Sequence, residues 1–169
     1  QSLIGATDET PPESWLAAIR LAAEIADRGS PVLANSSRRD GPTLDAERFR
    51  FEMDFFVTHF LGGYLPSGSP PSALKEALHR LAEEAAQTPR AVFCHRDFHS
   101  RNIVLSEQGR LALVDLQDAR WGPDSYDLAS WLYDAYIQRP DPWVEIGIRT
   151  YLSALDHPPD PHAFEQRLI

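Results

Sequence analysis

His95-Arg96-Asp97-Phe98-His99-Ser100-Arg101-Asn102, with Leu111-Ala112-Leu113-Val114-Asp115 a short way on, is the stretch that decides how this chain is read. The octet is polar and lies between two apolar runs, Ala91-Val92-Phe93-Cys94 and Ile103-Val104-Leu105. Runs of that length and character suit short buried strands, so the octet is a loop joining them. Ser106-Glu107-Gln108-Gly109 reads as a turn, with Gly109 free to take positive φ. Arg110 to Val114 then returns antiparallel. The hairpin brings Asp115 back beside Asn102, although thirteen positions separate them.

These residue types suit one chemistry. Phosphoryl transfer asks the protein for a carboxylate to accept a hydroxyl proton and for oxygen ligands that hold Mg²⁺ against the phosphates. Asp97 fits the first role, and Asn102 and Asp115 fit the second. Mg²⁺ is a hard ion that takes carboxylate and amide oxygens and keeps several waters, so a site this small suffices.

The octet resembles the kinase signature H-R-D-L-x-x-x-N, with Phe98 in place of Leu. With His99 it is similar to the H-x-D-x-H-x-x-N loop of the aminoglycoside phosphotransferase family. Gly122-Pro123-Asp124-Ser125-Tyr126-Asp127-Leu128-Ala129 looks like that family's segment after the metal Asp. Asp115-Leu116-Gln117-Asp118-Ala119, taken with Gly122-Pro123 and Tyr126-Asp127-Leu128, resembles the bacterial N-acetylmuramate/N-acetylglucosamine kinase branch. The strong resemblance covers residues 91–138, and a weaker similarity in helix pattern reaches upstream to residue 44.

The resemblance implies an α+β, mainly α fold. It would be the C-terminal lobe of a protein-kinase-like structure, with helices around a short β-hairpin that carries the catalytic loop. It implies ATP as phosphoryl donor, Mg²⁺ as cofactor, Asp97 as catalytic base, and Asn102 and Asp115 as metal ligands. Asp127 would open a buried helix and accept backbone N–H bonds from the loop, and His95 would support the loop from below. His99 either scaffolds the loop or contacts phosphate or substrate. Asp118 either contacts substrate or forms a turn with Arg120. The implied acceptor is a hydroxyl on a small molecule, an amino sugar or cell-wall sugar first, an aminoglycoside or choline behind it.

The departures from the kinase pattern also inform. Asp115-Leu116-Gln117 stands where protein kinases have Asp-Phe-Gly, and no activation segment of useful length separates Asp115 from Asp127. These features argue against protein-kinase activity. Such an enzyme also needs a lobe with a phosphate-covering loop and a strand Lys. The sole Lys, Lys75, falls in a helical pattern, and nothing before residue 91 reads as a sheet with a Gly-rich turn. The expectation is a linker at 1–12 leading from a missing N-terminal ATP-binding lobe. A helical catalytic lobe would occupy 13–169, incomplete at its C-terminal end and inactive alone.

Composition bounds the rest. At 169 residues and 43% hydrophobic content the chain is ordinary for one globular domain. One Cys excludes an internal disulfide and suits a reducing cytoplasm. Cys94 itself reads as inert packing in its strand. No apolar run approaches the ~18–20 residues that span a membrane. A net charge of −9, from 16 basic and 25 acidic residues, argues against a nucleic-acid partner. The Arg-rich, Lys-poor balance points to a bacterial genome.

Periodicity predicts helices around the hairpin. The first runs from Ser14 to Arg28 and stops at Gly29, with loop at 30–42. The second spans about Asp45 to Leu61, with Phe49, Met53, Phe56 and Phe60 as its core stripe. The third passes through Leu74, Leu78, Leu81 and Ala85, capped by Ser69 or Ser72. The fourth covers Ser125 to Gln138 and the fifth Trp143 to Leu155, broken by His157-Pro158-Pro159.

Two other readings of the same residues stand beside the first. His95, Asp97 and His99 alternate, and on a strand they would share a face able to bind Zn²⁺ or Mn²⁺ in a hydrolase. That reading leaves Asn102 and Asp115 without a role. The other is a non-catalytic binding lobe that keeps the motif for structure.

Overall fold

The computed structural model describes residues 10–37, 39–64, 71–88 and 90–168. Within them, helices α1 (Glu13–Glu24), α2 (Ser30–Ala34), α3 (Ala46–Phe55) and α4 (Ser72–Ala85) precede the strands β1 (Ala91–Cys94), β2 (Ile103–Leu105), β3 (Leu111–Leu113) and β4 (Arg120–Pro123). Helices α5 (Tyr126–Leu132), α6 (Pro142–Ala154) and α7 (Pro161–Gln166) follow. The architecture is α+β and mainly helical. β2 and β3 form the antiparallel hairpin, Ile103 opposite Leu113. β1 pairs antiparallel with β4, Val92 opposite Gly122. No helix among the described residues is long and apolar enough to cross a membrane.

The main core sits where α1, α5 and α6 meet. Trp15 and Ile19 of α1 face Leu128, Trp131 and Leu132 of α5 and Trp143, Ile148 and Tyr151 of α6, all buried. Trp15 lies 5.3 Å from Trp143 and 6.2 Å from Trp131, ring centroid to ring centroid. Fully burying one large apolar side chain contributes ~1.5–3 kcal/mol, so this aromatic cluster is a principal source of stability. Gly147 permits the helices to approach: a Cβ there would lie 2.6 Å from Leu132 Cδ2 and 3.0 Å from Trp15. Phe98 of the loop and Ile103 of β2 join the same core. A second buried cluster, Ala26, Leu44, Phe49, Ala82, Val92 and Cys94, ties α3 and α4 to β1.

The structure corrects several helix boundaries. Gly29 does not end the first helix. Ile25–Gly29 forms a π-helical turn that runs directly into α2, with Gly29 in ordinary right-handed geometry. A glycine inside a helix weakens it by only ~0.5–1 kcal/mol, which local docking offsets. That docking is visible in buried Ser30, whose Oγ accepts the Phe93 N–H of β1 at 2.8 Å. The stripe on the second helix splits. Phe49 is buried, but Phe56 and Phe60 are exposed and stack on each other at 5.3 Å. They fall in a π-helical turn, Phe56–Leu61, whose i→i+5 bonding puts more residues in each turn and carries Phe60 off the α-helical stripe.

Two further boundaries move. Ser72 is the first residue of α4 and not its cap, which is Pro71; Ser69 lies outside the described residues. α5 ends at Leu132 and not at Gln138, because the Asp134 carboxylate accepts the Tyr136 N–H at 2.8 Å and turns the chain. α7 and β4 were not anticipated. Asp160 caps α7 by accepting the Ala163 N–H at 2.9 Å, with Pro161 in its first turn. Residues 1–9 of the expected linker lie outside the described residues, and Pro12 caps α1 in extended geometry.

Candidate functional site

The loop from His95 to Asn102 begins at the buried end of β1 and is anchored from several sides. Phe98 is fully buried, edge-on to Trp131 at 6.0 Å and to His95 at 6.2 Å. A core aromatic at this position holds the middle of the loop down, while its polar neighbours stay near the surface. The loop is not a strand, so His95, Asp97 and His99 do not share a strand face. Among the described residues no three His, Cys, Asp or Glu side chains gather as a metal-ligating group.

Buried Asp127, in the first turn of α5, accepts the His95 N–H at 2.7 Å through Oδ2 and the Arg96 N–H at 3.0 Å through Oδ1. Burial pushes its pKa up to about 7, against the pull of those two N–H bonds. His95 is fully buried, and its Nε2 lies 3.0 Å from the Val114 carbonyl. A carbonyl can only accept, so Nε2 carries the proton. Burial holds the His95 pKa below its ordinary value, which keeps the ring neutral. His95 thus joins the end of β1 to the end of β3.

Among the described residues two non-glycine residues take left-handed backbone geometry, and both belong to this region: Arg96 at φ 76° and Asp115 at φ 67°. Such geometry is strained for most side chains and persists where surrounding contacts dictate it. Arg96 is held by its N–H to Asp127 and by its guanidinium, which bonds Glu52 of α3 at 2.8 Å and lies 3.5 Å from Asp118. The Arg96 side chain therefore ties the loop to α3 and to the turn after β3.

Asp97 and Asn102 are linked within the loop. The Asn102 side-chain amide donates to the Asp97 carbonyl at 3.0 Å, which leaves Oδ1 as the open acceptor of that amide. The Asp97 carboxylate has no hydrogen-bond or ion-pair partner among the described residues. The Asn102 carbonyl accepts the Val114 N–H at 3.0 Å, so the residue before Asp115 is bonded directly to Asn102. Asp115 is exposed and starts a short 3-10 turn, Leu116–Asp118. Asp97, Asn102 and Asp115 are thus brought into one region by one loop and one hairpin. Their oxygens are of the hard type that Mg²⁺ takes.

His99 is half-buried, edge-on to Tyr136 at 5.4 Å, with a buried Nδ1 that finds no partner among the described residues. Asp118 meets Arg96 and not Arg120. Trp121 is half-buried in β4, edge-on to Phe93. Sequence reasoning missed Asp134, buried just beyond α5, which accepts the Ser100 N–H at 2.7 Å. No helical spacing marked it, because Asp134 lies past the end of α5, where an Asp ordinarily reads as a turn residue. It also missed Glu52, which receives both Arg96 and Arg48. A groove of about 940 Å³ opens between α3, α4, α5 and α7, lined by Phe49, Met53, Tyr126 and Arg167 among others; Asp97, Asn102 and Asp115 are not in its wall.

Residues 5–165 match the APH phosphotransferase enzyme family. The N-acetylmuramate/N-acetylglucosamine kinase of Neisseria meningitidis serogroup B is 43% identical over 145 residues, covering 82% of this chain and 43% of that protein. The kinase of the same name from Pseudomonas aeruginosa is 33% identical over 113 residues, covering 65% of this chain and 33% of that protein. That of Pseudomonas putida is 28% identical over 113 residues, again 65% and 33%. The chain therefore spans less than half the length of these curated relatives in the matched regions.

Proposed function

The chain belongs to the phosphotransferase enzyme family, and on that premise we propose that the whole protein moves the γ-phosphate of ATP to a hydroxyl of an amino sugar or related cell-wall sugar. The observation that carries the reading is the Asp97–Asn102 pair. The Asn102 amide nitrogen is committed to the Asp97 backbone, and among the described residues its Oδ1 is open and the Asp97 carboxylate has no partner. A base needs a free carboxylate within reach of the proton it takes. In this reading Asp97 accepts the acceptor's hydroxyl proton as the oxygen attacks in line. Asn102 Oδ1 and Asp115 would hold Mg²⁺, which when bound neutralises charge on the phosphates. Asp127 and His95 keep the loop in shape. His99, with its unpartnered Nδ1, contacts phosphate or acceptor. Asp118 orients Arg96 and through it the loop, ahead of any role in touching the acceptor.

The acceptor class is supported by the relatives above, which are named N-acetylmuramate/N-acetylglucosamine kinases. Residues 13–169 act as the helical C-terminal lobe, and the reading assigns the phosphate-covering, Lys-bearing lobe to a segment outside residues 1–169. ATP as donor puts the reaction in the cytoplasm. The hydrolase reading loses support, because no three-ligand group forms among the described residues. The test is ATP consumption by the full-length protein with Mg²⁺, against N-acetylmuramate, N-acetylglucosamine, choline and kanamycin, beside the 169-residue chain alone. Turnover on an amino sugar by the full-length protein, with none by the 169-residue chain, is the expected result. Turnover only on choline or kanamycin refutes the substrate class, and none on any acceptor refutes the reading in favour of a binding lobe.

A further inference from the structure

We propose that Asp134 is a positioning residue for the phosphotransfer loop, a second clamp that sets Asn102 and Asp97 from the far end. This rests on the function proposed above. The loop is gripped at two places by buried carboxylates, one in the first turn of α5 and one just beyond its end. Asp127 takes the N–H groups of His95 and Arg96 at its start, and Asp134 takes the N–H of Ser100 at 2.7 Å near its end. Asp134 is 9% exposed, and no ion pair joins it among the described residues. Its other oxygen accepts the Tyr136 N–H at 2.8 Å, so the carboxylate is fixed by its own turn before it reaches the loop.

Ser100 lies between the base and the amide ligand. His99, just before it, donates its N–H to the Asp97 carbonyl at 3.0 Å. The His99 carbonyl in turn accepts the Asn102 N–H at 2.9 Å, and the Asn102 side chain returns to the Asp97 carbonyl. A displaced Ser100 therefore moves both members of the pair. The same turn supplies Tyr136, whose ring meets His99 and lies beneath the Arg101 guanidinium at 4.0 Å. Residues 97–102 thus rest on the Asp134–Tyr136 turn as a unit. Asp134 touches no reacting group; it acts through Ser100.

The experiment compares Asp134→Asn with wild type in the full-length protein. Asn keeps the shape but presents an amide that cannot accept from both N–H groups. Misplacing a site by about an ångström costs up to ~10²-fold in rate. The expected result is a kcat at least tenfold lower, an apparent Mg²⁺ activation constant raised severalfold and an acceptor KM little changed. Amide hydrogen exchange across residues 97–102 should quicken while α1 and α6 stay protected. Asp134→Ser keeps an acceptor for the Tyr136 turn but is too short for Ser100, and should show the same pattern if the Asn variant does not fold. Unchanged loop exchange in a folded variant overturns the proposal. A kcat that falls only in step with thermal stability, with Mg²⁺ activation unmoved, also overturns it. Absent turnover in wild type would refute the phosphotransferase reading instead, a failure the exchange data tell apart.

Discussion

Truncating Asp127 to Ala tests how the loop is held, and the structure gives both a size and a sign. The change strands the His95 and Arg96 N–H groups, bonded now at 2.7 and 3.0 Å. A buried donor left unmade is destabilising by ~1–3 kcal/mol, so the gross loss is roughly 2–6 kcal/mol. Against this, Ala removes a carboxyl whose pKa burial has raised from 3.8 to about 7. A folded-state pKa raised above the unfolded one means that the folded protein binds the extra proton. Asp127 then contributes most below the unfolded pKa, and that contribution is lost as pH rises through about 7. At about 1.36 kcal/mol per pH unit, the penalty of Asp127→Ala should be roughly 2–3 kcal/mol larger at about pH 5 than at about pH 7.5. Urea unfolding of wild type and variant at both pH values reads this directly, because every other titrating group cancels in the difference. A penalty that is flat, or that grows with pH, would refute the reasoning. It would mean that the two N–H bonds outweigh burial and hold Asp127 ionised throughout.

Two more substitutions probe the site and the core. Asp97→Asn in the full-length protein should lower kcat by ~10²–10⁴ with the melting temperature unchanged, as expected for loss of a general base; near-normal turnover measured by coupled ATP consumption would remove Asp97 from that role. Gly147→Ala should destabilise by ~1–3 kcal/mol, because its Cβ would press on Leu132 at 2.6 Å and on Trp15 at 3.0 Å in a packed crossing; denaturant titration checks it, and a neutral result would show that α1 and α6 can part without loss.

The hairpin was legible because it is local. Residues 91–94 and 103–105 are apolar runs with an unbroken polar octet between them, and the return strand follows a four-residue turn. β4 was not legible, since Arg120-Trp121-Gly122-Pro123 carries no strand pattern and finds its partner in β1, about thirty residues earlier. The π-helical turns were hidden for a different reason. Gly29 read as a helix terminator although the chain continues helically through Ile25–Gly29, and periodicity alone misplaced the facing of Phe56 and Phe60 in Phe56–Leu61. At the site, the motif residues stood out by their spacing. Asp134 did not, because an Asp after a helix ordinarily reads as a surface turn residue, and only the fold brings it to Ser100.

The packing of α1 on α6 bears on how the chain acquires its structure during synthesis. The Asp156 N–H bonds the Asp27 carboxylate across 129 residues, and Trp15 finds Trp143 over a similar distance. At ribosomal rates of ~5–20 residues per second, α1 waits roughly 6–26 seconds for the helix that covers it. Until α5 and then α6 arrive, Trp15, Ile19 and the alanines of its apolar face lack most of the side chains that bury them. The chain's main hydrophobic junction therefore closes late, between residues far apart in sequence, and the apolar face of α1 is exposed in the nascent form.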